Sequence, residues 1–361
     1  MVVRVPAPVA VAAPRLSVIV PAFNCAPMLR HCLNGLVASG LPRDAWELIV
    51  VDDGSADDTG PVARAVADRV LRVEDGPRGP AHARNVGARV ATGAVLVFVD
   101  ADVIVAPTTL CGFVDHFVQD ATLGAVFGAY DETPADTGFL SQYRNLVHHY
   151  VHATHRGDAE TFWAGCGAVR RDLFLAAGGF HEARYPRPQI EDIELGYRLR
   201  ARGARIRLDP ALQGTHLKHW TLRSMVRTDL HDRAIPWMRL ILRRGEAMQP
   251  GPLNLELREK VFTVLTALAL VAGLAAVVTQ RSALVAVAVA CVLTVLLGNA
   301  PLFAWFLRAR GVVFTCGVVP LRLLYYVEAG LGAAWAIATY RGRDADVVLP
   351  PLTSATEPSA P

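Results

Sequence analysis

The sequence of 361 residues lacks several features that identify common classes of protein. Its six cysteines form no CxxC pair, which argues against a zinc site and a disulfide framework and fits a reducing compartment. The formal net charge is only +3, so nucleic acid is not an expected partner. Residues 1–14 are apolar but contain three prolines and no continuous apolar core, and we expect a flexible tail there rather than a signal peptide.

The hydrophobic residues, 52% of the sequence, are concentrated after residue 260. Three apolar stretches follow one another there, over residues 261–279, 283–297 with an extension to 307, and 311–340. A membrane span needs about 20 apolar residues, so we predict two or three transmembrane helices within residues 259–341. The third stretch suits a span least because it contains Arg322 and Glu328, and a charge within a span is costly unless it is paired.

Basic residues are unevenly distributed around these stretches. Six arginines precede the first stretch: Arg223, Arg227, Arg233, Arg239, Arg243 and Arg244. Because large apolar side chains alternate with them, we predict an amphipathic interfacial region over residues 220–258 that lies on anionic membrane lipids. For the first half of this region, a basic helix packed on the soluble domain is the alternative.

The same residues predict an orientation. The outer ends of the first two spans carry Arg258, Lys260, Arg308 and Arg310, whereas only Arg281 lies between the spans. The positive-inside rule then assigns the region before residue 220 to the cytoplasm of a multi-pass protein of the cell membrane. A third full span would carry Arg341 and Arg343 outside, which the same rule disfavours, so the number of spans stays open. We expect residues 342–361 to be a disordered tail.

Before residue 220, short apolar runs alternate with helical patterns. Over residues 15–105 this order predicts an α/β fold with a mostly parallel sheet flanked by helices. The clearest strand, residues 95–99, is followed by Asp100 and Asp102. Ligands bind beyond the carboxyl ends of such strands, and two carboxylates at this spacing suit a hard divalent cation. An ordinary acidic turn is the alternative.

Polar segments follow two other strands of the predicted sheet, at residues 21–24 and 52–55. Asp53 offers a carboxylate to a ribose or a base edge, and Arg84, on a helix entered through Gly79, can reach a phosphate. Each segment alone is compatible with turn and capping chemistry. Three such segments at one edge of a sheet instead indicate a nucleotide site.

Four segments, taken in order, resemble the family 2 glycosyltransferases of GT-A fold. They are LSVIVPAFN at residues 16–24, ELIVVDDGS at 47–55, ARNVG at 83–87 and DAD at 100–102. The resemblance covers about residues 15–245 and is specific because four linked motifs agree. It implies a GT-A catalytic domain over residues 15–219 that uses a nucleoside diphosphate sugar, with Mn²⁺ or Mg²⁺ bound to the diphosphate.

The resemblance also implies roles for individual residues. The nucleotide-sugar site would comprise Pro21, Ala22, Asn24, Asp53, Arg84, Asp100 and Ala101. The metal would be held by Asp102 and Asp100 of the DXD motif. The acceptor side would include Trp163, Gly165 and Glu191.

Asp192 is predicted to be the catalytic base. It lies three residues before Leu195 on the inward face of a helix, and the Glu-Asp pair with the following Leu and Arg-Leu resembles the family motif that supplies the base. An inverting transfer needs a carboxylate to take the proton from the attacking hydroxyl. The alternative is that Asp192 only stabilises the first helical turn through the helix dipole.

Two groups of histidines are candidate metal ligands. His216 follows the last predicted strand, and some GT-A enzymes complete the metal shell with a downstream histidine. Imidazole suits Mn²⁺ better than Mg²⁺, so this role and the identity of the metal are linked. His148, His152 and His155 share one helical face, but no carboxylate or cysteine joins them, and we interpret that face as a polar surface beside the acceptor cleft.

The sequence therefore predicts a membrane-anchored, inverting glycosyltransferase that moves one sugar to a lipid-linked or cell-envelope glycan acceptor. Transfer of a single sugar is favoured because the Gln-x-x-Arg-Trp motif of processive polymer synthases does not follow the predicted base. A nucleotidyltransferase and an inactive membrane scaffold of the same fold stay open as alternatives. The first has no need of Glu191 and Asp192, and the intact carboxylates argue against the second.

Overall fold

The computed structural model describes residues 15–245 and 256–341 together with Leu352. The predicted tails, apart from Leu352, and positions 246–255 of the predicted interfacial region lie outside the described residues. One mixed sheet with helices on both faces makes up the part before residue 220, and a helical region follows it. The predicted fold class is confirmed.

The sheet contains nine strands within the described residues. They are β1 (Leu16–Ala22), β2 (Trp46–Asp52), β3 (Arg69–Arg72), β4 (Val95–Val99), β5 (Val103–Val105), β6 (Leu123–Tyr130), β7 (Gly157–Ala159), β8 (Cys166–Arg170) and β9 (Arg205–His216). Their order is β3-β2-β1-β4-β8-β6-β9-β5, with β7 paired to β9. Strands β1 to β4 pair in parallel, whereas β8 runs antiparallel to both β4 and β6, so the sheet is parallel in its first half and mixed as a whole.

Helices cover both faces of this sheet. They are α1 (Ala26–Val37), α2 (Thr59–Arg64), α3 (Pro80–Val90), α4 (Thr109–Gln119), α5 (Phe139–Thr154), α6 (Arg171–Ala176) and α7 (Glu191–Ala201). Alternate residues of β1 enter different cores: Val18 packs with α1, α2 and α4, and Ile19 packs with α3, α6 and α7. Burial on both faces is the reason that the central strands are continuous apolar runs.

Strand β9 differs from the prediction and changes the site. The sequence predicts a strand only over residues 205–208, but β9 continues to His216 because the short strand β5 pairs antiparallel with it. Val103 lies opposite His216 in this pairing. The residue that follows the DXD motif is therefore in register with the candidate histidine.

The helical region begins with α8 (Leu222–Arg227), a π-helical segment (Thr228–Ala234) and α9 (Ile235–Arg244). Three apolar helices follow: α10 (Leu257–Thr279), α11 (Ser282–Gly298) and α12 (Ala300–Thr339), which is interrupted at Gly311. Among the described residues, α10 and α12 are long and apolar enough to cross a membrane. The predicted extension of the second stretch to residue 307 is wrong, because the chain leaves helical geometry at Asn299 and Pro301 lies in the first turn of α12.

Arg322, one of the two charged residues that made the third stretch doubtful, is paired. The guanidinium of Arg322 donates to Glu259 at 2.6 Å and to Asn299 at 2.8 Å, and all three residues are buried. The hydroxyl of Tyr326 also donates to Glu259, at 3.2 Å. This network ties α12 to the start of α10 and gives the buried charge the partner that an apolar environment requires.

Candidate active site

A cavity of about 1390 Å³ begins at the carboxyl edge of the sheet. Pro21 and Ala22 at the end of β1 and the segment 100–102 after β4 form part of its wall. Residues of α5, the start of α7 and the π-helical segment line it as well. Parallel pairing of β1 and β4 brings these strand ends together, as the motif spacing predicts.

Arg84 lies at the centre of this arrangement. It is buried on α3, and its guanidinium donates to Asp100 Oδ1 at 2.6 Å and to Glu191 Oε1 at 2.8 Å. Burial lowers the pKa of Arg84, but the two carboxylates outweigh that effect and keep it charged. Arg84 therefore joins the DXD side of the cavity to the start of α7, and two of its nitrogens are engaged by protein rather than by ligand.

Asp102 and His216 form the second pair of the site. The Nε2 atom of His216 lies 3.3 Å from Asp102 Oδ2, and its Nδ1 donates to Asn145 Oδ1 at 2.6 Å. That second bond fixes the ring so that Nε2 points at Asp102. Burial raises the pKa of Asp102, but His216 and Lys218 outweigh it and bring the pKa below its ordinary value, so the carboxylate is ionised.

The residues at this edge fit a divalent metal whose coordination shell is completed by the substrate. Within residues 15–245 and 256–341, no three His, Cys, Asp or Glu side chains are grouped closely enough to hold a metal ion alone. Asp102 and His216 offer one carboxylate and one imidazole, and a diphosphate commonly supplies further oxygens to a metal bound in this way. Asp100 is a weaker candidate ligand, because Arg84 occupies one of its oxygens.

The predicted nucleotide residues divide into two groups. Four of them line the cavity: Pro21, Ala22, Asp53 and Ala101. Both oxygens of Asp53, however, accept hydrogen bonds from the backbone N–H groups of residues 78 and 79, at 2.7 to 3.1 Å. Asp53 thus holds the loop that leads into α3. Asn24 is not among the residues that line the cavity: its side-chain oxygen accepts from the backbone N–H of the loop after β2, at 2.8 Å, which turns the amide away.

Asp192 lies in the cavity wall at the start of α7. Its Oδ2 accepts from the backbone N–H of Ala164 at 3.1 Å, and its Oδ1 accepts from Ile193 at 2.8 Å. Burial, followed by the charge of Glu191, raises the pKa of Asp192 to about 7. A carboxylate with such a pKa can accept a proton near neutral pH, which suits a general base. Glu191 is buried and bound to Arg84, which makes it the less available carboxylate of the pair.

Of the predicted acceptor residues, Trp163 and Glu191 line the cavity and Gly165 does not. Trp163 lines the cavity and packs against His148 and His152, with ring centroids 4.8 and 5.5 Å apart. Gly165 does not line the cavity but supports it: its carbonyl accepts from the backbone N–H of Asp100, and any side chain at Gly165 would overlap the Trp163 ring. Of the three histidines on the predicted polar face, His148 and His152 line the cavity, whereas His155 does not and its Nε2 lies 2.9 Å from Glu256 Oε1.

Three further residues belong to the site although the sequence analysis does not assign them to it; it places Arg233 on the membrane surface instead. Asn145 orients His216, and Lys218 and Arg233 are cations that line the cavity. Lys218 Nζ lies 4.2 Å from the ring centroid of Trp220, and Asp102 is the strongest charge acting on it. The arginine cluster before the apolar stretches was the available signal for Arg233, but nothing in that cluster distinguishes it from its neighbours.

Comparison with known proteins identifies the domain that carries the first part of this site. Residues 17–176 match the family described as glycosyl transferase family 2. They are a family 2 glycosyltransferase domain. The domain contains β1 to β8, the DXD motif, Arg84 and Trp163, whereas Asp192 and His216 follow it in sequence.

Two curated proteins are similar to the chain around this family 2 domain. Glycosyltransferase AglE of Haloferax volcanii is 38% identical over 93 residues, which are 25% of this chain and 31% of AglE. A validoxylamine A glucosyltransferase of Streptomyces hygroscopicus subsp. jinggangensis is 31% identical over 227 residues, which are 53% of this chain and 52% of that protein. The chain thus spans about a third and about half of the length of these relatives.

One solved structure extends the likeness in fold beyond the family 2 domain. The mannosyltransferase PcManGT from Pyrobaculum calidifontis, solved in complex with GDP-Man and Mn²⁺, is 22% identical and has a TM-score of 0.54. The match covers 92% of this chain and 91% of PcManGT. The two chains therefore share a fold that includes helices after the GT-A sheet.

Proposed function

We propose that this protein is an inverting glycosyltransferase that moves one sugar from a nucleoside diphosphate sugar to an acceptor hydroxyl. The observation that carries the proposal is the position of Arg84, which joins Asp100 of the DXD motif to Glu191, the neighbour of Asp192, on the wall of one cavity. The proposed donor residues and the proposed base thus line the same cavity. The family 2 domain over residues 17–176 supports the same reaction class, and neither alternative function gives Asp192 a role.

The chemistry follows from the two sides of the cavity. Asp192 takes the proton of the acceptor hydroxyl while the oxygen attacks the anomeric carbon, and the bond to the diphosphate breaks with its electron pair. Pro21, Ala22 and Ala101 form the nucleotide wall, and Lys218 lies on the Asp102 side, where it can stabilise the leaving diphosphate.

A divalent metal fits the donor side. Asp102 and His216 would hold Mn²⁺ or Mg²⁺, with Asp100 beside them, and the ion would neutralise the charge that develops on the diphosphate. The fold neighbour solved with GDP-Man and Mn²⁺ supports this assignment. Imidazole favours Mn²⁺ of the two.

The location of the enzyme is part of the proposal. Residues 15–219 would form the catalytic domain on the cytoplasmic side of the cell membrane, residues 220–258 the interfacial region, and residues 259–341 the membrane anchor. The lengths and apolar character of α10 and α12 support this division. A catalytic domain held at the bilayer suits a lipid-linked or cell-envelope glycan acceptor.

A panel of nucleotide-sugars tests the function. Full-length protein in detergent would be heated with UDP-, GDP- and dTDP-sugars, each with and without Mn²⁺. One donor should raise the melting temperature only when Mn²⁺ is present, since a ligand at a hundred times its Kd stabilises the native state by about 2.7 kcal/mol. If no nucleotide-sugar shifts the transition, the proposed function is wrong.

Reporter fusions test the topology. A reporter fused after Gly245 is expected to read as cytoplasmic, and one inserted between Gln280 and Ser282 as external, because α10 lies between the two positions. A phosphatase and a fluorescent protein, which are active on opposite sides of the membrane, provide the measurement. The opposite pattern would exclude a cytoplasmic donor site.

A further inference from the structure

The cavity does not end at the reacting centre. Beyond Asp192 it is lined by Trp237 and Ile241 of α9, and then by residues of α10 and α12. On α12 the lining residues are Arg322, Tyr325, Ala329, Ala333 and Ile337, which lie on one face of the helix. This face extends over 15 residues, or about 22 Å. We call this part of the cavity the channel.

The channel opens sideways between apolar helices. Val264 of α10 and Ile337 of α12 line it, yet their exposed fractions are 65% and 58%. Both side chains belong to the apolar helices that are long enough to cross a membrane. In the membrane arrangement proposed above, a cavity bounded by such side chains would open to the lipid, and a hydrocarbon chain could enter it without passing through water.

An unpaired cation stands where the channel meets the reacting centre. Arg233 lines the cavity, and it forms no hydrogen bond or ion pair with any residue that the structure describes. The charges acting on it include those of Arg144, Asp229 and Asp192. Lys218, by contrast, is influenced most by Asp102 on the donor side. Arg233 is the next charge acting on Lys218, so the two cations share the reacting centre, and Ala234, which follows Arg233 and packs against α12, puts Arg233 at the channel side of that centre.

Membrane helix α12 supports the segment that carries Arg233. A Cβ atom added to Gly332 would lie 2.5 Å from Ala234 Cβ, so α12 packs directly against the end of the π-helical segment. Such segments are frequent at functional sites. The position of Arg233 thus depends on the helix that also forms the channel wall.

We propose that the acceptor is a lipid with a phosphate group near its reacting hydroxyl, that Arg233 binds this phosphate, and that the hydrocarbon chain lies in the channel between α10 and α12. The proposal rests on the proposed function, because the hydroxyl attacks the donor sugar and gives its proton to Asp192. A guanidinium binds phosphate through two parallel hydrogen bonds, and phosphate is the anion that a membrane surface supplies. Apart from Lys260 and the pair formed by Arg322 and Glu259, the channel walls are uncharged and match the chain, and Arg233 matches the headgroup.

Three probes separate the phosphate from the chain. Dioleoylphosphatidylglycerol has both a phosphate and a chain together with a hydroxyl, dioleoylglycerol lacks the phosphate, and glycerol phosphate lacks the chain. Binding of each probe to the full-length protein in neutral detergent would be measured by native mass spectrometry. We expect phosphatidylglycerol to bind at least about tenfold more tightly than either fragment, since a charge-assisted hydrogen bond and a buried chain each contribute that much.

Two pairs of variants assign the contacts. Arg233→Gln should weaken phosphatidylglycerol binding by about tenfold and leave dioleoylglycerol binding unchanged, whereas Arg223→Gln, which removes the same charge outside this cavity, should change neither. Ala333→Phe, which fills the channel, should weaken binding of both lipids. Ala334→Phe, on the exposed side of α12, should not.

The outcomes also separate this inference from the proposed function. If the nucleotide-sugar panel gives a metal-dependent shift but phosphatidylglycerol binds no better than dioleoylglycerol, the phosphate site is wrong and the transferase stands. If Arg233→Gln weakens donor binding and not lipid binding, Arg233 belongs to the donor and the inference is overturned. If Ala333→Phe binds both lipids as the unaltered protein does, the channel does not hold the chain.

Discussion

Replacing Asp192 with asparagine is expected to slow sugar transfer by about a hundredfold or more, because asparagine cannot take a proton from the acceptor hydroxyl. Its side-chain oxygen can still accept from the backbone N–H of Ala164, so the start of α7 should keep its geometry. Release of nucleoside diphosphate would be measured with full-length protein in detergent. Donor affinity, measured on the same preparation, should be retained.

The pH dependence of the reaction tests the same residue more sharply. Since burial and Glu191 raise the pKa of Asp192 to about 7, the ionised base should appear as the pH rises through 7. The rate at pH 6 should be about a tenth of the rate on the alkaline plateau. Glu191→Gln removes a negative charge beside Asp192 and should move this rise to lower pH, whereas Glu194→Gln, in the same first turn but outside the cavity and paired with Arg198, should not. Near-normal turnover in the Asp192 variant would make Glu191 the first alternative base.

The fold was predictable where local burial decides the structure. Strands β1, β2 and β4 are buried on both faces, so each is an apolar run whose limits can be read from the sequence. Strand β9 was not predictable to its end, because Asp209, Pro210 and Gly214 interrupt the apolar pattern. Only its pairing with β5 and β6 keeps it extended as far as His216.

The candidate site was predictable as a set of motifs but not as a network. The spacing of the motifs brings Asp100 and Asp102 to the sheet edge, since parallel strands end together. The bond from Arg84 to Glu191 joins residues 107 positions apart and depends on how α7 packs against α3. The engagement of Asp53 and Asn24 with backbone N–H groups likewise appears only once the loops are folded.

Replacing Asp102 with alanine is expected to abolish metal-dependent donor binding. Asp102 is the one carboxylate of the DXD motif whose neighbours, His216 and Lys218, keep its pKa below the ordinary value, and it faces Nε2 of His216 at 3.3 Å. Its loss removes the anionic ligand that would link the metal to the protein. The measurement is the melting temperature of full-length protein with the donor selected by the panel, with and without Mn²⁺.

The matched variants show whether such a loss comes from the metal site or from damage to the fold. Asp115→Ala removes an exposed carboxylate from α4, outside the cavity, and should leave the Mn²⁺-dependent shift unchanged. His216→Ala should weaken the shift with Mn²⁺ more than the shift with Mg²⁺, because imidazole is the better ligand for Mn²⁺. Asn145→Ala should have a smaller effect in the same direction, since it frees the His216 ring without removing it. A shift of normal size in the Asp102 variant would mean that the DXD motif does not bind the metal. Equal losses with Mn²⁺ and Mg²⁺ in the His216 variant would mean that the imidazole only supports Asp102.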